Sequence, residues 1–203
     1  MSAAGAKDSA GAGSAFAIRT VAVIGAGVAG RSFALACAAA GFDVVLEDVM
    51  PANLRQAQEE YANLGILNAR AQGFHGCLDI APTIEAAVRT ADVAVDFVPD
   101  ELESKLEIFC LVDRMAPPRT ILLTPSDAMS ITDLASCTYR GDRCFAVRGG
   151  LENAASGAPL RLLHPAGVSQ AALSAMADFL RALGGDPRAE IDPVPPMLVK
   201  NLR

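Results

Sequence analysis

The 203-residue chain predicts an α/β fold, a doubly wound and mostly parallel sheet with helices on both faces. Short runs of β-branched and aliphatic residues alternate with helical patterns roughly every 10 to 20 residues, as in repeated strand–helix–strand units. The strand runs are continuously apolar rather than alternating, which is typical of strands buried on both faces. Right-handed crossovers between such strands distribute the helices over both faces of the sheet.

The first strand is predicted at residues 20–24, where the sequence TVAVI ends at Gly25. Further strands are predicted at 43–47, 77–80, 92–98, 120–123, 144–147 and 160–163. The intervening helices are predicted at 28–40, 51–64, 84–88, 102–115 and 171–183. Pro51 suits the first turn of its helix, and Thr83 suits the N-cap of the next helix. We expect three parts: a flexible tail at 1–16, the α/β domain at 17–192, and a connector with the start of a truncated helical segment at 193–203.

Composition excludes several classes of function. The formal charge of −6 argues against nucleic acid as a partner, because an acidic surface repels a phosphate backbone. No apolar run is long enough for a transmembrane helix, so a membrane is not an expected partner. Five cysteines without a C-x-x-C pair, and two histidines, argue against a zinc site. Free thiols and the absence of a signal-peptide pattern predict a cytoplasmic protein.

A glycine-rich motif joins the first strand to the first helix. It fits G-x-G-x-x-G and consists of Gly25, Ala26, Gly27, Val28, Ala29 and Gly30. The first glycine permits a tight turn, the second permits close approach of a pyrophosphate, and the third permits close helix–strand packing. Asp48 ends the second strand about 20 residues later, where an acid binds ribose hydroxyls and repels a 2′-phosphate. The motif therefore predicts a Rossmann-type domain that prefers NAD to NADP.

Several segments resemble the 3-hydroxyacyl-CoA dehydrogenase family. They are residues 21–48, DVAVDFVPDELESK at 92–105, SITDL at 130–134 and DPVPPMLVKNLR at 192–203. The resemblance implies NAD-dependent oxidation of a 3-hydroxyacyl-CoA or acyl-carrier thioester, with a histidine as general base and a glutamate that orients it. It also implies that Val98, Pro99 and Lys105 lie beside the nicotinamide ribose, with Asp96 near the same site.

The chain departs from the family pattern at the catalytic positions. Arg148 stands at the position of the histidine and Arg161 at that of the glutamate. Asp127 replaces a serine, with Ser126 adjacent, and Lys200 replaces an asparagine. An arginine stays protonated at any working pH and cannot be the general base. The sequence thus predicts an NAD-binding oxidoreductase with degenerate catalytic positions.

Four alternatives stay open at this stage. The chain is alternatively a non-catalytic NAD-binding sensor, or a subunit that complements a partner dehydrogenase. A third interpretation makes Arg148 a clamp for a substrate carboxylate, and a fourth makes His164 a displaced base. The resemblance implies a helical second domain after residue 193, which a partner protein could supply, and the isolated chain is expected to be a monomer or a weak dimer.

Overall fold

The computed structural model describes residues 17–69, 76–152, 157, 159–195, 197 and 198. Its described strands form one eight-stranded sheet in the order β3-β2-β1-β4-β5-β6-β7-β8. The strands are β1 (Thr20–Ile24), β2 (Asp43–Glu47), β3 (Cys77–Ala81), β4 (Val93–Asp96), β5 (Ile121–Pro125), β6 (Cys144–Arg148), β7 (Pro159–His164) and β8 (Asp186–Ile191).

Six α-helices connect the described strands. They are α1 (Val28–Ala39), α2 (Pro51–Ala69), α3 (Ile84–Val88), α4 (Leu102–Met115), α5 (Ile131–Ser136) and α6 (Gln170–Ala182). Thr83 caps α3 as predicted, because its side chain accepts a hydrogen bond from the backbone N–H of Ala86. None of the described helices combines the length and the apolar character needed to cross a bilayer.

The strand order locates the ligand-binding end of the sheet. Strands β1 to β6 run parallel, and the chain moves outward from β1 in one direction to β2 and β3 and in the other to β4. In open α/β sheets, ligands bind at such a switch point, outside the carboxyl ends of the strands. We call this end of the parallel strands the carboxyl edge and the opposite end the amino edge.

Two apolar layers cover the faces of the sheet, as the continuous apolar runs predicted. On one face, Val21 and Leu46 pack with Phe33 of α1 and Phe179 of α6. On the other face, Ile24 belongs to a second cluster with buried residues of α3, α4 and α5. Every residue of β4 is buried, because helices lie on both of its faces.

The structure adds a strand and an α-helix that the sequence did not predict, and it shortens another strand. Strand β8 has the sequence DPRAEI, is largely exposed and lies at the edge of the sheet. It therefore contains no apolar run from which a strand could be predicted. Helix α5 is only 6 residues long, too short for a clear helical period. Strand β4 ends at Asp96 rather than 98, because the chain turns there toward α4. Strand β7 is antiparallel to β6, which agrees with a mostly parallel sheet.

Candidate functional site

The glycine turn lies at the carboxyl edge, between β1 and α1. Gly25 has φ +98°, and a Cβ there would lie 3.0 Å from the carbonyl oxygen of Phe97. A Cβ on Gly30 would overlap the carbonyl oxygen of Gly25. A Cβ on Gly27 would meet no heavy atom within 4 Å. The fold thus requires glycine at the first and third positions, whereas the second leaves open space at the start of α1, where free N–H groups suit an anion.

The carboxylate of Asp48 is hydrogen-bonded to the glycine turn. Its Oδ2 accepts hydrogen bonds from the backbone N–H of Ala26 at 2.6 Å and from Asn53 Nδ2 at 3.1 Å. Its Oδ1 accepts one from the backbone N–H of Met50 at 2.6 Å. These donors fix the carboxylate at the end of β2, where it is half-buried. This is the position at which an acid can accept hydrogen bonds from ribose hydroxyls.

Arg31 holds the same turn from the helix side. Its Nη1 donates to the carbonyl oxygen of Ala26 at 3.2 Å, and its Nε forms an ion pair with Glu60 at 3.0 Å. The peptide groups of Ala26 are therefore held by charged side chains on both sides. The role of Arg31 could not be predicted from the sequence, because its partner Glu60 comes from a different helix and no local pattern joins the two.

A cleft of about 650 Å³ opens beside Asp48, at the carboxyl ends of β2 and β3. Its lining residues are Glu47, Asp48, Val49, Pro51, Leu54, Ile80, Ala81 and Pro82. The mixture of apolar walls and carboxylates suits a planar base with an attached ribose. Burial, with the neighbouring charge of Asp48, raises the pKa of Glu47. Glu47 was another residue that the sequence analysis did not assign to the site.

A buried ion pair lies farther along the carboxyl edge. Lys105 of α4 is fully buried, and its Nζ donates to Asp96 Oδ1 at 2.7 Å and to Thr124 Oγ1 at 2.9 Å. The other carboxylate oxygen, Asp96 Oδ2, is buried without a hydrogen-bond partner among the described residues. Burial raises the pKa of the Asp96 carboxyl, and the charge of Lys105 opposes that rise. Val98 and Pro99 lead from this strand toward α4, with Val98 half-buried and Pro99 exposed.

The serine hydroxyls near the end of β5 form hydrogen bonds within the protein. Ser126 is buried, and its Oγ accepts a hydrogen bond from the backbone N–H of Met129 at 3.1 Å. Ser130 caps α5 and donates to Asp192 Oδ2 at 2.8 Å. Asp127 is exposed and forms no ion pair with Arg148 among the described residues.

Two arginines face each other where β6 and β7 pair. Arg148 and Arg161 are direct cross-strand partners. Arg161 forms a bidentate pair with Glu190, with 3.0 Å between Nη2 and Oε2, and this bond lowers the pKa of Glu190. Arg148 donates only from Nη2 to the carbonyl oxygen of Met129 at 3.4 Å, and its buried Nε has no partner within the described chain.

Two further predicted residues remain, Lys200 and His164. Lys200 lies outside the described residues. His164 lies on β7 three residues beyond Arg161, toward the amino edge, with Nδ1 at 2.9 Å from the carbonyl oxygen of Pro165. It is therefore distant from the edge where Asp96 and Arg148 lie, which argues against its role as a displaced base.

The site as a whole runs along the carboxyl edge. The cleft beside Asp48, the open turn at Gly27 and the Asp96–Lys105 pair follow the strand order β2, β1, β4. A dinucleotide bound across a switch point needs this succession: a pocket for one nucleoside, an anion site at a helix start, and a polar pocket for the other nucleoside. The residues present thus fit a dinucleotide.

Comparison with known proteins agrees with this geometry. Residues 20–148 match the family model described as the NAD binding domain of 3-hydroxyacyl-CoA dehydrogenase. A probable 3-hydroxybutyryl-CoA dehydrogenase of Bacillus subtilis (strain 168) is 31% identical over 134 residues, covering 62% of this chain and 46% of that protein. A mitochondrial hydroxyacyl-coenzyme A dehydrogenase of Mus musculus is 26% identical over 183 residues, covering 84% and 58%. The chain spans about half the length of these relatives.

Solved structures share the fold. The (S)-3-hydroxybutyryl-CoA dehydrogenase of Ralstonia eutropha superimposes with a TM-score of 0.74 at 21% identity, covering 87% of this chain and 64% of that one. The family match extends over more than half of the residues, from β1 to the end of β6, and therefore includes the glycine turn, Asp48 and the Asp96–Lys105 pair. This chain belongs to the 3-hydroxyacyl-CoA dehydrogenase family through its NAD-binding domain, and NAD is its cofactor.

Proposed function

We propose that this chain binds NAD along the carboxyl edge and acts as an oxidoreductase of the hydroxyacyl dehydrogenase type with degenerate catalytic positions. The observation that carries this proposal is the contrast among the three turn glycines. Gly25 and Gly30 are required by the fold, whereas the open space at Gly27 has no structural reason and suits a pyrophosphate.

Different residues of the carboxyl edge would bind different parts of the cofactor. Asp48 would accept hydrogen bonds from the adenosine ribose, and Gly27 with Val28 and Ala29 would present N–H groups to the phosphates. Asp96 Oδ2, which is buried without a partner among the described residues, would accept a hydrogen bond from the second ribose. Lys105 would hold Asp96 in position rather than meet solvent, since its side chain is fully buried.

Bound NAD would supply a hydride acceptor, so a hydroxyl carbon could be oxidised to a carbonyl with release of one proton. The described carboxyl edge offers no imidazole to take that proton, and Arg148 stays protonated. The Ser126 hydroxyl accepts a hydrogen bond from the backbone N–H of Met129, and the Ser130 hydroxyl donates one to Asp192. Loss of a positioned general base removes roughly 10²–10⁴-fold of rate, so we propose slow oxidation of 3-hydroxyacyl thioesters.

The experiment is a pair of measurements on the same preparation. Calorimetric titration with NAD tests binding, and NADH formation with excess 3-hydroxybutyryl-CoA tests chemistry. We expect clear NAD binding and a turnover far below that of a relative that keeps the histidine. Undetectable NAD binding would contradict the cofactor site, and turnover equal to that relative would contradict the degenerate catalysis.

A second function is favoured by the two arginines that meet at β6 and β7. A non-catalytic NAD-binding sensor, or a subunit that complements a partner dehydrogenase, needs the cofactor site but no general base. NAD binding without any NADH formation would favour this alternative. The proposed cytoplasmic location and the partner that supplies a helical domain stay predictions.

A further inference from the structure

We propose that Arg148 binds the carboxylate of a small hydroxy acid, which adds free hydroxy acids to the thioesters as a substrate class of this site. This inference rests on the proposed function, because it uses the same carboxyl edge and requires bound NAD beside it. Three features of the structure carry it: the position of Arg148, its unused donors and its cross-strand neighbour.

Arg148 lies at the carboxyl end of β6, which is next to β5 and two strands beyond β4. A dinucleotide that begins at Asp48 and crosses the turn between β1 and α1 has its second half over β4. The side chain of Arg148 therefore lies on the side of the cofactor where a substrate would meet the reactive ring. It is far along the sheet from the phosphate turn, so the cofactor phosphates do not need it.

The donors of Arg148 are largely unused. A guanidinium has five N–H donors in a planar fork. Of its three nitrogens, only Nη2 has an acceptor within the described residues, and that bond to Met129 is 3.4 Å long. Nε is buried and has no hydrogen-bond partner in the part of the chain that the structure describes. A buried N–H without an acceptor is unfavourable, and buried donors in folded proteins nearly always have one. A ligand that offers two coplanar oxygens would satisfy this fork.

The neighbours of Arg148 compensate its charge only in part, because Glu190 acts on it by charge alone. Arg161 is its direct cross-strand partner, and like charges in that relation repel each other. Glu190 compensates Arg161 through a bidentate pair and makes no ion pair with Arg148. Asp127 likewise forms no ion pair with Arg148 among the described residues, so this half-buried cation is influenced by the charge of Glu190 without a direct carboxylate contact.

A carboxylate fits these requirements better than a thioester. A half-buried cation gains most from an anion, and a thioester carbonyl offers one neutral oxygen, whereas a carboxylate offers two charged oxygens at the spacing of the fork. The hydroxyl carbon of a short hydroxy acid would then lie a few bonds from the guanidinium. Arg148 would orient the substrate and would take no proton.

The test uses the full chain saturated with NAD, after NAD binding has been measured. Calorimetry compares 3-hydroxybutyrate with its methyl ester, which differs by the loss of the charge. We expect the acid to bind about tenfold or more tightly than the ester. Arg148→Met should abolish this preference while the NAD affinity is kept, and Arg188→Met, on an exposed residue of β8, should leave the preference unchanged.

Equal affinity for acid and ester in the unmodified chain would overturn the proposal. A preference that persists in Arg148→Met would also overturn it, and Arg148→Lys, which keeps the charge but loses the fork, serves if the methionine variant does not fold. Inorganic phosphate distinguishes the other source of an oxyanion, because Arg148-dependent phosphate binding without acid binding would overturn the carboxylate assignment. Absence of NAD binding would instead contradict the proposed function itself.

Discussion

Arg140 and Arg148 flank the same strand, β6, yet the amino edge and the carboxyl edge surround them very differently. At the amino edge, Arg140 bonds to Asp113 Oδ1 at 2.8 Å and to four backbone carbonyl oxygens. The second oxygen of Asp113 accepts the backbone N–H of Tyr139 at 3.0 Å. At the carboxyl edge, Arg148 has one long hydrogen bond.

The buried side-chain atoms without partners follow the same division. Within the described residues there are two, Asp96 Oδ2 and Arg148 Nε, and both lie at the carboxyl edge. Buried polar groups that are fully bonded stabilise one structure, whereas unsatisfied ones call for a ligand. The difference teaches that the amino edge of this sheet serves the fold and the carboxyl edge serves binding.

The largest expected effect is a loss of stability caused by a substitution at the amino edge. Arg140→Met leaves Asp113 as a buried charge without its counterion, which should lower the free energy of unfolding by about 3–5 kcal/mol. The matched change Arg148→Met removes no strong bond and should alter it by less than about 0.5 kcal/mol. Urea denaturation of both variants checks the difference. Similar losses in the two would mean that the edges do not differ as described.

A second prediction concerns the turn glycines. Gly27→Leu should weaken NAD binding roughly 100-fold, about 2.7 kcal/mol, because the side chain fills the open space where the pyrophosphate would lie. The backbone of Gly27, with φ −59°, accepts an L-residue, so the thermal midpoint should hardly change. Gly30→Ala is the contrasting variant: its Cβ would overlap the Gly25 carbonyl, so it should lower the thermal midpoint. Calorimetry and thermal denaturation separate the two effects.

A third prediction concerns the choice of cofactor. NAD should bind about tenfold or more tightly than NADP, since Asp48 would repel the extra phosphate. Asp48→Asn should reduce this preference, and NAD binding should weaken by a smaller factor than the preference falls. Titration of both variants with both cofactors provides the measurement. Equal affinities in the unmodified chain would remove the role assigned to Asp48.

The smallest expected effect concerns the exposed ion pair between Arg161 and Glu190. It should stabilise the fold less than the buried pair between Arg140 and Asp113 does. Arg161 lowers the pKa of Glu190 below its ordinary value of 4.5. Its stabilising contribution is therefore present above that pH and is lost as the pH falls through the lowered pKa. Glu190→Gln should be slightly less stable at pH 7, and the difference should disappear in acid. A difference that grows in acid would contradict this sign.

Local chemistry explains how much of this could be predicted from the sequence. The turn from Gly25 to Gly30 and the acid at Asp48 were predictable, because each role depends on residue type and short spacing. The complete burial of Lys105 was not predictable, because Thr124 reaches it from another strand. The Arg31–Glu60 pair and the pairing of Arg148 with Arg161 likewise depend on contacts distant in sequence. The roles assigned to Ser126, Asp127 and Lys200 stay predictions.

The hydrogen bond from the Ala26 backbone to Asp48 has a consequence for anyone who wishes to redesign cofactor preference. Asp48 holds the Ala26 peptide of the glycine turn, and in the proposed function it would also bind the ribose. Exchanging it for a small or basic residue would remove the repulsion of NADP but also release that peptide. A single substitution is then expected to yield a poor binder of either cofactor. A successful switch would need a second change that restores an acceptor for the Ala26 N–H.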